Sequence, residues 1–588
     1  MASTSTVVFA ATAPPLLPQG WVRLDAVETQ FDEGTSDVTR RLAMGIIHRT
    51  LTSAAEVTQL IQQGANPNAR PLLTTADRQR EPSSLGYPLL ALSIDDMTDF
   101  TLGAIEALRP AGFVGGCPVA MPRWPSTDLQ DAVMNALIDG GADMNAADLS
   151  RIEHRPFQIA VAAGNQAALG LLMARNVQLR GFMVMQLPHV PIVRLFRPTP
   201  ALESQLLCIY RRLIQDDSTL ADEGNGWGSG DHVMRYVAMR GGEYSQAFLD
   251  SYLDLLVDNG ASIMAADGDG QTAFHWAAFA GAHRVIHWMS RHVSAGEINR
   301  RTNQGADGYT ALDEAASQLD WFTEWVRRAD FVSEEEEENI RRRIPVQKTC
   351  ILVLLRGGAA PSIAHLPTAT EADRRCRQMV LTEYATVLNE LRDVVMEAIN
   401  TALAPQRDYS MLLTRLLTLV THHDGHPAHP SPSTLSFGPQ EGEAIAWHVG
   451  SFLYQPSTAM ATIDEYLIGD SVLRQHVRAA VAHFVRQAAT RTASNREVVG
   501  GTRQEGGQTV RVPSLQCFAI ASGNGGRAVR MVGVREVVHR ARLDEAEQHG
   551  VAGVIKGFNE HLGDADCQFQ WRQLGYMTRG VFMSLGFT

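Results

Sequence analysis

Residues 267–289 read DGDGQTAFHWAAFAGAHRVIHWM, and this stretch limits what the chain can become. Asp267, Gly268, Asp269 and Gly270 make a tight turn, and Thr272 then opens a short helix carrying His275, Ala277 and Ala278. Gly281 breaks that helix, and a second apolar run follows through Val285, Ile286, Trp288 and Met289. Two helices this short cannot bury their apolar faces against each other alone, so the unit has to stack on others like it.

The second half of such a unit recurs. Val57–Asn68 reads VTQLIQQGANPN, Met134–Asn145 reads MNALIDGGADMN, Tyr252–Ile263 reads YLDLLVDNGASI and Ile351–Pro361 reads ILVLLRGGAAP. In each, an apolar pair closes a helix, a glycine supplies the left-handed backbone that stops it, and an alanine lets the next element approach closely. The opening half recurs more loosely, at Tyr87-Pro88-Leu89-Leu90-Ala91, Arg155-Pro156-Phe157-Gln158-Ile159-Ala160, Thr272-Ala273-Phe274-His275 and Thr310-Ala311-Leu312-Asp313. Threonine caps the free N–H groups of a first turn, and proline is tolerated there because its missing N–H has no partner to lose.

These openings and endings together resemble ankyrin repeats. Six units are expected, at about 38–70, 85–148, 151–181, 226–266, 267–300 and 305–362, with room in 182–225 for a degenerate seventh. The spacing is irregular: Thr272 to Thr310 is 38 residues, against a usual period of about 33. Gly64 to Gly141 spans 77, which accommodates an insertion holding the Pro/Gly-rich loop Pro110 to Pro125. A second insertion, Trp321 to Ile344, carries Glu334–Glu338 and then Arg341–Arg343, an order that suits a solvated helix with its charges opposing the dipole. The resemblance implies protein recognition without catalysis, and a structural role for the opening-motif histidine His275. Trp276, Phe279 and Trp288 have two readings, a core stripe at helical spacing or anchors for a protein partner.

At 588 residues the chain exceeds one ordinary core, and 45% hydrophobic with 20% charged residues describes a globular protein. The net charge of −13 offers no basic face for nucleic acid or an anionic membrane, and no apolar run approaches the roughly 18 residues of a spanning helix. Cys117, Cys208, Cys350, Cys376, Cys517 and Cys567 lie far apart without a CxxC pair, which argues against a disulfide framework or zinc ribbon and suits a reducing compartment. Of 51 basic residues only Lys348 and Lys556 are lysine. A GC-rich genome accounts for that, and so does avoidance of ubiquitin, whose acceptor is lysine; the two readings are compatible. Residues 1–20 contain no charged side chain and are rich in Ser, Thr, Ala and Pro, so residues 1–37 are expected to be disordered. They lack the basic region of a secretory signal peptide and are similar to the unfolded secretion signals of bacterial type III effectors.

Past Pro361 the repeat pattern stops. Leu381, Tyr384, Leu388, Leu391 and Val395 fall on one stripe of a helix over 378–400, and further helices are expected over 409–420 and 470–490. Short strands are expected at 496–499, 509–515, 517–521 and 528–534, then helices near 535–548 and 551–562. His422, His423, His426 and His429 form a His-rich loop that reads either as a solvated turn or as metal ligands. Cys517 with His448 or His539 could act as nucleophile and base, although an apolar strand is where cysteine is usually a small buried side chain. The Gly-rich SGNGGR at 522–527 lacks the Lys-Ser/Thr of a phosphate loop and reads as a hairpin turn.

The expected architecture is mainly α: an ankyrin-repeat solenoid of about six irregular repeats over 38–362, then an α+β C-terminal domain over 363–588. The expected function is a scaffold binding a protein partner, without cofactor, nucleic acid or membrane, in a reducing cytoplasm and delivered to a host cell as an effector or viral protein. Two rivals stand beside it: an enzyme targeted by its repeats, and a structural component of a virus particle.

Overall fold

The computed structural model describes residues 17–18, 20–75, 86–109, 116–146, 154–188, 197–224, 232–304, 308–328, 334–419, 439–492, 498, 500–512, 514–521, 528–555 and 567–586. They are mainly helical with smaller β portions, and the chain divides into two compact units, 1–285 with 324–343 and 286–323 with 344–588.

In the first unit short helices come in pairs: α1 Asp37–Ile47 with α2 Ala54–Gln62, α3 Leu89–Leu92 with α4 Thr127–Asp139, and α5 Pro156–Ala162 with α6 Gln166–Ala174. There follow α7 Pro200–Asp216, the pair α8 Val233–Arg240 and α9 Gln246–Asp258, and α10 Ala273–Ala280. First helices pack on first helices (α1 on α3, α3 on α5, α8 on α10), and second helices on second (α2 on α4, α4 on α6).

The recurrent ending has the geometry its sequence requires. Gly64, Gly141, Gly260 and Gly358 have φ of 98, 93, 104 and 107°. One residue on, the N–H of Ala65, Ala142, Ala261 and Ala359 donates to the carbonyl of Leu60, Leu137, Leu256 and Leu354 at 3.0, 2.9, 3.0 and 3.0 Å. This is the six-residue closure that satisfies a helix's last carbonyls. A fifth copy has no glycine: Asn176 takes φ 59°, and the Val177 N–H donates to Leu172 O at 3.1 Å. Beyond the endings, one side-chain amide ties successive turns. Asn68 Nδ2 donates to Gly141 O at 2.8 Å and Asn68 Oδ1 accepts from the Asp143 N–H at 2.7 Å, while Asn145 Oδ1 accepts from the Gln178 N–H at 2.9 Å.

A five-stranded sheet, absent from the sequence expectation, joins residues 22–30 to strands between the first two helix pairs and inside the second. Its strands are β1 Val22–Arg23, β2 Val27–Gln30, β3 Leu72–Thr75, β4 Glu106–Leu108 and β5 Gly116–Ala120, in the order β1-β5-β4-β3-β2. β1 and β2 lie inside the 1–37 stretch, where buried Trp21 packs edge-on against Phe100 at 5.2 Å. Strands of two to five residues are too short to show a period in sequence. The insertion is also pinned by a buried ion pair, Arg49 Nε to Asp95 Oδ1 at 3.1 Å. Arg49 donates as well to the carbonyls of Ile46, Leu92 and Ile94, and Asp95 Oδ2 accepts from the Trp124 N–H at 2.8 Å.

Residues 181–188, part of the region left as room for a seventh unit, form a buried turn instead. Met183, Val184, Met185 and Leu187 are buried, and three buried tyrosines donate to the turn's carbonyls: Tyr210 to Gln186 at 2.8 Å, Tyr244 to Pro188 at 2.9 Å, and Tyr252 to Met185. On the opposite side the Glu223 carboxylate accepts from the N–H groups of Gly181 and Phe182. A buried turn stays cheap only when both its donors and acceptors are met, as here.

The later elements are α11 His283–Ser290, α12 Ala295–Ile298, α13 Ala311–Arg328 and α14 Glu334–Gly357. α14 opens with the acidic run, and Arg341 and Arg342 pair with Glu337 and Glu338 at 2.7 Å each, as the charge order predicts. Then the helices expected at 378–400 and 409–420 are one, α15 Glu371–Leu419, 49 residues long and continuous through Pro405. Pro405 has no N–H to return to the Thr401 carbonyl four residues back, and one residue on the Ala402 carbonyl accepts from the Gln455 N–H at 2.9 Å. α15 packs against α16 Pro439–Gly450, α17 Pro456–Tyr466, α18 Val472–Arg491 and α19 Val534–His549.

β6 Gly501–Glu505 and β7 Gln508–Val512 form a hairpin. β8 Phe518–Ala521 and β9 Ala528–Val532 join β10 Leu574–Thr578 and β11 Val581–Ser584 in an antiparallel sheet of order β11-β10-β8-β9. The strands at 574–584 are additional to those expected. Of 496–499 only Val498 is described, outside any strand, and residues 551–555 are not helical.

Candidate partner-binding surface

α10 is set by its cap. The Thr272 N–H donates to His275 Nδ1 at 3.1 Å, and the Thr272 hydroxyl lies 3.1 Å from the same nitrogen. His275 is buried, so its role is to close the helix start rather than to meet solvent. Gly281, at φ 82°, ends the helix, and the Ala282 N–H returns to Ala277 O at 2.8 Å.

α8 presents the same face one unit earlier. Val233, Met234, Val237 and Ala238 are buried, as are Ala273, Phe274, Ala277 and Ala278 at the matching positions of α10. What remains outward also matches: Tyr236 stands where Trp276 does, and Met239 where Phe279 does. Phe279 is 43% exposed and Met239 37%, while Trp276 and Tyr236 are half-buried. The Arg235 guanidinium lies over the Trp276 ring at 4.0 Å and that of Arg240 over Tyr236 at 5.6 Å. Trp276 and Phe279 meet edge to face at 6.2 Å. Arg, Trp, Tyr, Phe and Met are the side chains enriched in protein interfaces, and these are held rigid by the helices beneath.

Residues 250–289 match the family model of ankyrin repeats (many copies). The match covers most of α9, the turn after it, α10 and most of α11, so it holds both Trp276 and Phe279. Ankyrin repeats generally mediate protein–protein binding, and the likeness suggests a protein-interaction module in this segment. No curated protein matches the chain.

Of the three aromatics expected to face a partner, Trp276 and Phe279 reach the surface, whereas Trp288 is 1% exposed and stacks on His292 at 4.0 Å. On α11 Val285, Ile286, Trp288 and Met289 are all buried, so its apolar face is broad and takes the tryptophan with it. Tyr236, Met239 and Arg235 were missed in sequence because α8 lacks the threonine opening. Laying α8 on α10 in register is the signal that finds them.

The other candidate residues fall as follows. His422, His423, His426 and His429, and the SGNGGR loop, lie outside the described residues. Among the described residues no cluster of three or more metal-binding side chains occurs, and no helix is long and apolar enough to cross a membrane. Cys517 is buried, and burial pushes its thiol up to about 12, which keeps it protonated near neutral pH. The histidine brought to it is neither expected one: His483 Nε2 bonds the Cys517 carbonyl at 3.2 Å. His539 is fully buried with Nδ1 3.3 Å from Arg542 Nη1, and His448 is exposed with its ring edge-on to Phe452 at 5.7 Å. A shallow cleft lies between Met396, Ile399, Phe484, Val534, Arg535 and Glu536, and none of Cys517, His448 and His539 lines it.

Proposed function

We propose that residues 38–362 form an array of about six irregular ankyrin-type repeats that binds a protein partner, with Tyr236, Met239, Trp276 and Phe279 as its central contact row. The observation that carries this reading is the repetition of one outward pattern on two adjacent first helices, with α8 arginines over both aromatics, Arg235 over Trp276 and Arg240 over Tyr236. A core stripe would be buried; here Phe279 and Met239 are exposed and Trp276 and Tyr236 half-buried, over a fully buried row. The recurrent helix endings at Gly64, Gly141, Gly260 and Gly358 support the wider array.

The test is capture of partners from a eukaryotic lysate with the full chain and with a Trp276→Ala/Phe279→Ala double variant. Loss of two interface anchors costs about 2 kcal/mol or more each, so the captured partner should fall at least tenfold. A partner retained in full by a variant with an unchanged circular dichroism spectrum removes this surface from consideration.

The finer reading is a host-directed effector working in a reducing cytoplasm. It is supported by the lysine scarcity and by six cysteines that are all free. Surface arginine-to-lysine changes should then shorten the protein's lifetime in a cycloheximide chase, and an unchanged lifetime counts against it.

A further inference from the structure

The C-terminal half of α15 and the whole of α16 pack as an antiparallel hairpin. Gly450 sits so close to Ser410 that a methyl group there would overlap the serine hydroxyl, and two turns away the Gln455 N–H donates to Ala402 O at 2.9 Å. The seam between the helices is made of small or polar residues: Ala402, Gln406 and Ser410 on α15, Ala446 and Gly450 on α16, all buried. Little apolar area is used in holding the hairpin together.

The large apolar side chains lie elsewhere. On α15 Tyr409, Leu412 and Leu416 are exposed at i, i+3 and i+7, a stripe about 100° to one side of the seam. On α16 Ile445 and Val449 are exposed at i and i+4, with Phe452 and Leu453 just past its end, again one residue before the seam positions. In an antiparallel pair, stripes offset in the same sense on both helices emerge on the same side. The two stripes therefore lie on one side of the hairpin, with Phe452 74% and Tyr409 58% exposed and the exposed Glu441 one turn before Ile445 at its edge. At on the order of 100 Å² per side chain the face offers roughly 700 Å², above the ~300–600 Å² of the largest apolar patch on a typical monomer and close to the ~800 Å² one partner contributes to a standard interface.

We propose that this face is covered by the same face of a second copy of the chain, two hairpins closing into a four-helix bundle around a two-fold axis. Two points favour a second copy over a different partner. The area matches one half of a standard interface. A two-helix layer with a broad apolar stripe on one side is half of a four-helix bundle, and an isologous contact brings the other half without any further chain. The inference does not depend on the repeat surface and can fail or hold separately from it.

Size-exclusion chromatography with light scattering on the full chain tests it. The wild type should run at twice the 64.3 kDa chain mass, and a Leu412→Glu/Phe452→Glu variant at the chain mass with an unchanged circular dichroism spectrum. Hydrogen exchange at low and high protein concentration provides the second readout: protection over 409–416 and 445–453 should rise with concentration in the wild type. If the glutamate pair disturbs folding, Leu412→Ala/Phe452→Ala replaces it, with a weakened dimer expected. A wild type at chain mass with concentration-independent exchange overturns the proposal, as does a dimer that survives the substitutions. An assembly larger than two that the substitutions dissolve overturns the two-fold closure.

Discussion

Arg49 in the first unit and Arg542 in the second are both buried guanidinium groups, and burial brings each down to about 10, yet they are held in different ways. Arg49 meets a carboxylate, Asp95, and three carbonyls that all lie within 46 residues of it. Arg542 instead donates to Leu388 O at 2.6 Å, to Asn389 Oδ1 at 2.9 Å and to Ile555 O at 2.8 Å, two of them over 150 residues away. The first unit is assembled from neighbours in sequence, one turn tied to the next. The second is assembled around α15, which packs on the helices that follow it and, through Arg542, on α19 more than 150 residues on. Replacing each arginine shows whether that difference is energetic or only topological.

Arg49→Met carries the largest expected effect. It leaves Asp95 buried with its charge uncompensated, which costs about 3–5 kcal/mol, so the denaturation midpoint should drop and exchange protection should fall across α1, α3 and β5. Adding Asp95→Leu should recover part of the loss; a double variant as unstable as the single one would mean that packing around Trp124, not charge, is at stake. Arg542→Met should cost about 2–4 kcal/mol, from carbonyls stranded without a donor rather than from a stranded charge. Its exchange signature should appear in α15 and α19 together, since the guanidinium joins them. Protection lost in α19 alone would break the contrast between the units.

Next come the helix endings. Gly64→Ala meets no neighbouring atom, so its cost is the left-handed backbone alone, about 1–2 kcal/mol. Gly358→Ala should cost more, because its new methyl group would also come within 3.3 Å of Ala295 Cβ. Equal midpoints for the two would show that space is not limiting at Gly358.

A pH effect separates the units without mutation. His476 and His483 in the second unit both titrate below the ordinary 6.5 because burial disfavours the charged ring. The unfolded chain therefore takes up protons that the folded chain refuses, and stability present above about 6.5 is lost as pH falls below it. Denaturation followed at Trp571, which stacks on His476 at 3.8 Å, should shift to lower denaturant from about pH 7 to pH 5, and His483→Gln should reduce the shift. A slope unchanged by that substitution would assign the proton uptake to other groups.

The same division explains what could be read from sequence. Left-handed glycines, a threonine cap and an acidic-to-basic helix act over six residues or fewer, and Gly64, Thr272 and Glu337–Arg341 could be recognised individually. The outward positions of Trp276 and Phe279 follow from i, i+3 spacing on a helix whose buried face is alanine-rich. The three-tyrosine clamp on Met185, Gln186 and Pro188 could not be read, because its donors come from α7, the turn before α9 and α9 itself, and a tyrosine carries no mark of which carbonyl it will meet. Nor could the continuity of α15 through Pro405, since a proline in a helical pattern reads as a helix end and its tolerance is set by packing far along the chain. Tyr236 and Met239 were hidden for a simpler reason: His232 stands where Thr272 does in the readable unit, so nothing announced α8 as a first helix.

The smallest effect belongs to the ending that sequence did not reveal. Asn176 occupies the left-handed position that Gly64, Gly141, Gly260 and Gly358 fill at the other recurrent endings, and it does so at φ 59° with the same returning bond from Val177. Asparagine is the residue besides glycine that tolerates this region, at a penalty of a few tenths of a kcal/mol to about 1. Asn176→Gly should therefore raise stability by about 0.5 kcal/mol, less the extra entropy glycine has in the unfolded chain. Asn176→Ala should lower it by about 1 kcal/mol, since alanine gains nothing from a local side-chain hydrogen bond. The order Gly, Asn, Ala in denaturant midpoint would make this the fifth member of the series. A series with Ala equal to Asn would mean that the closure after α6 is held by packing of Leu172 and Val177, and that the first unit's regularity rests on its core as much as on its turns.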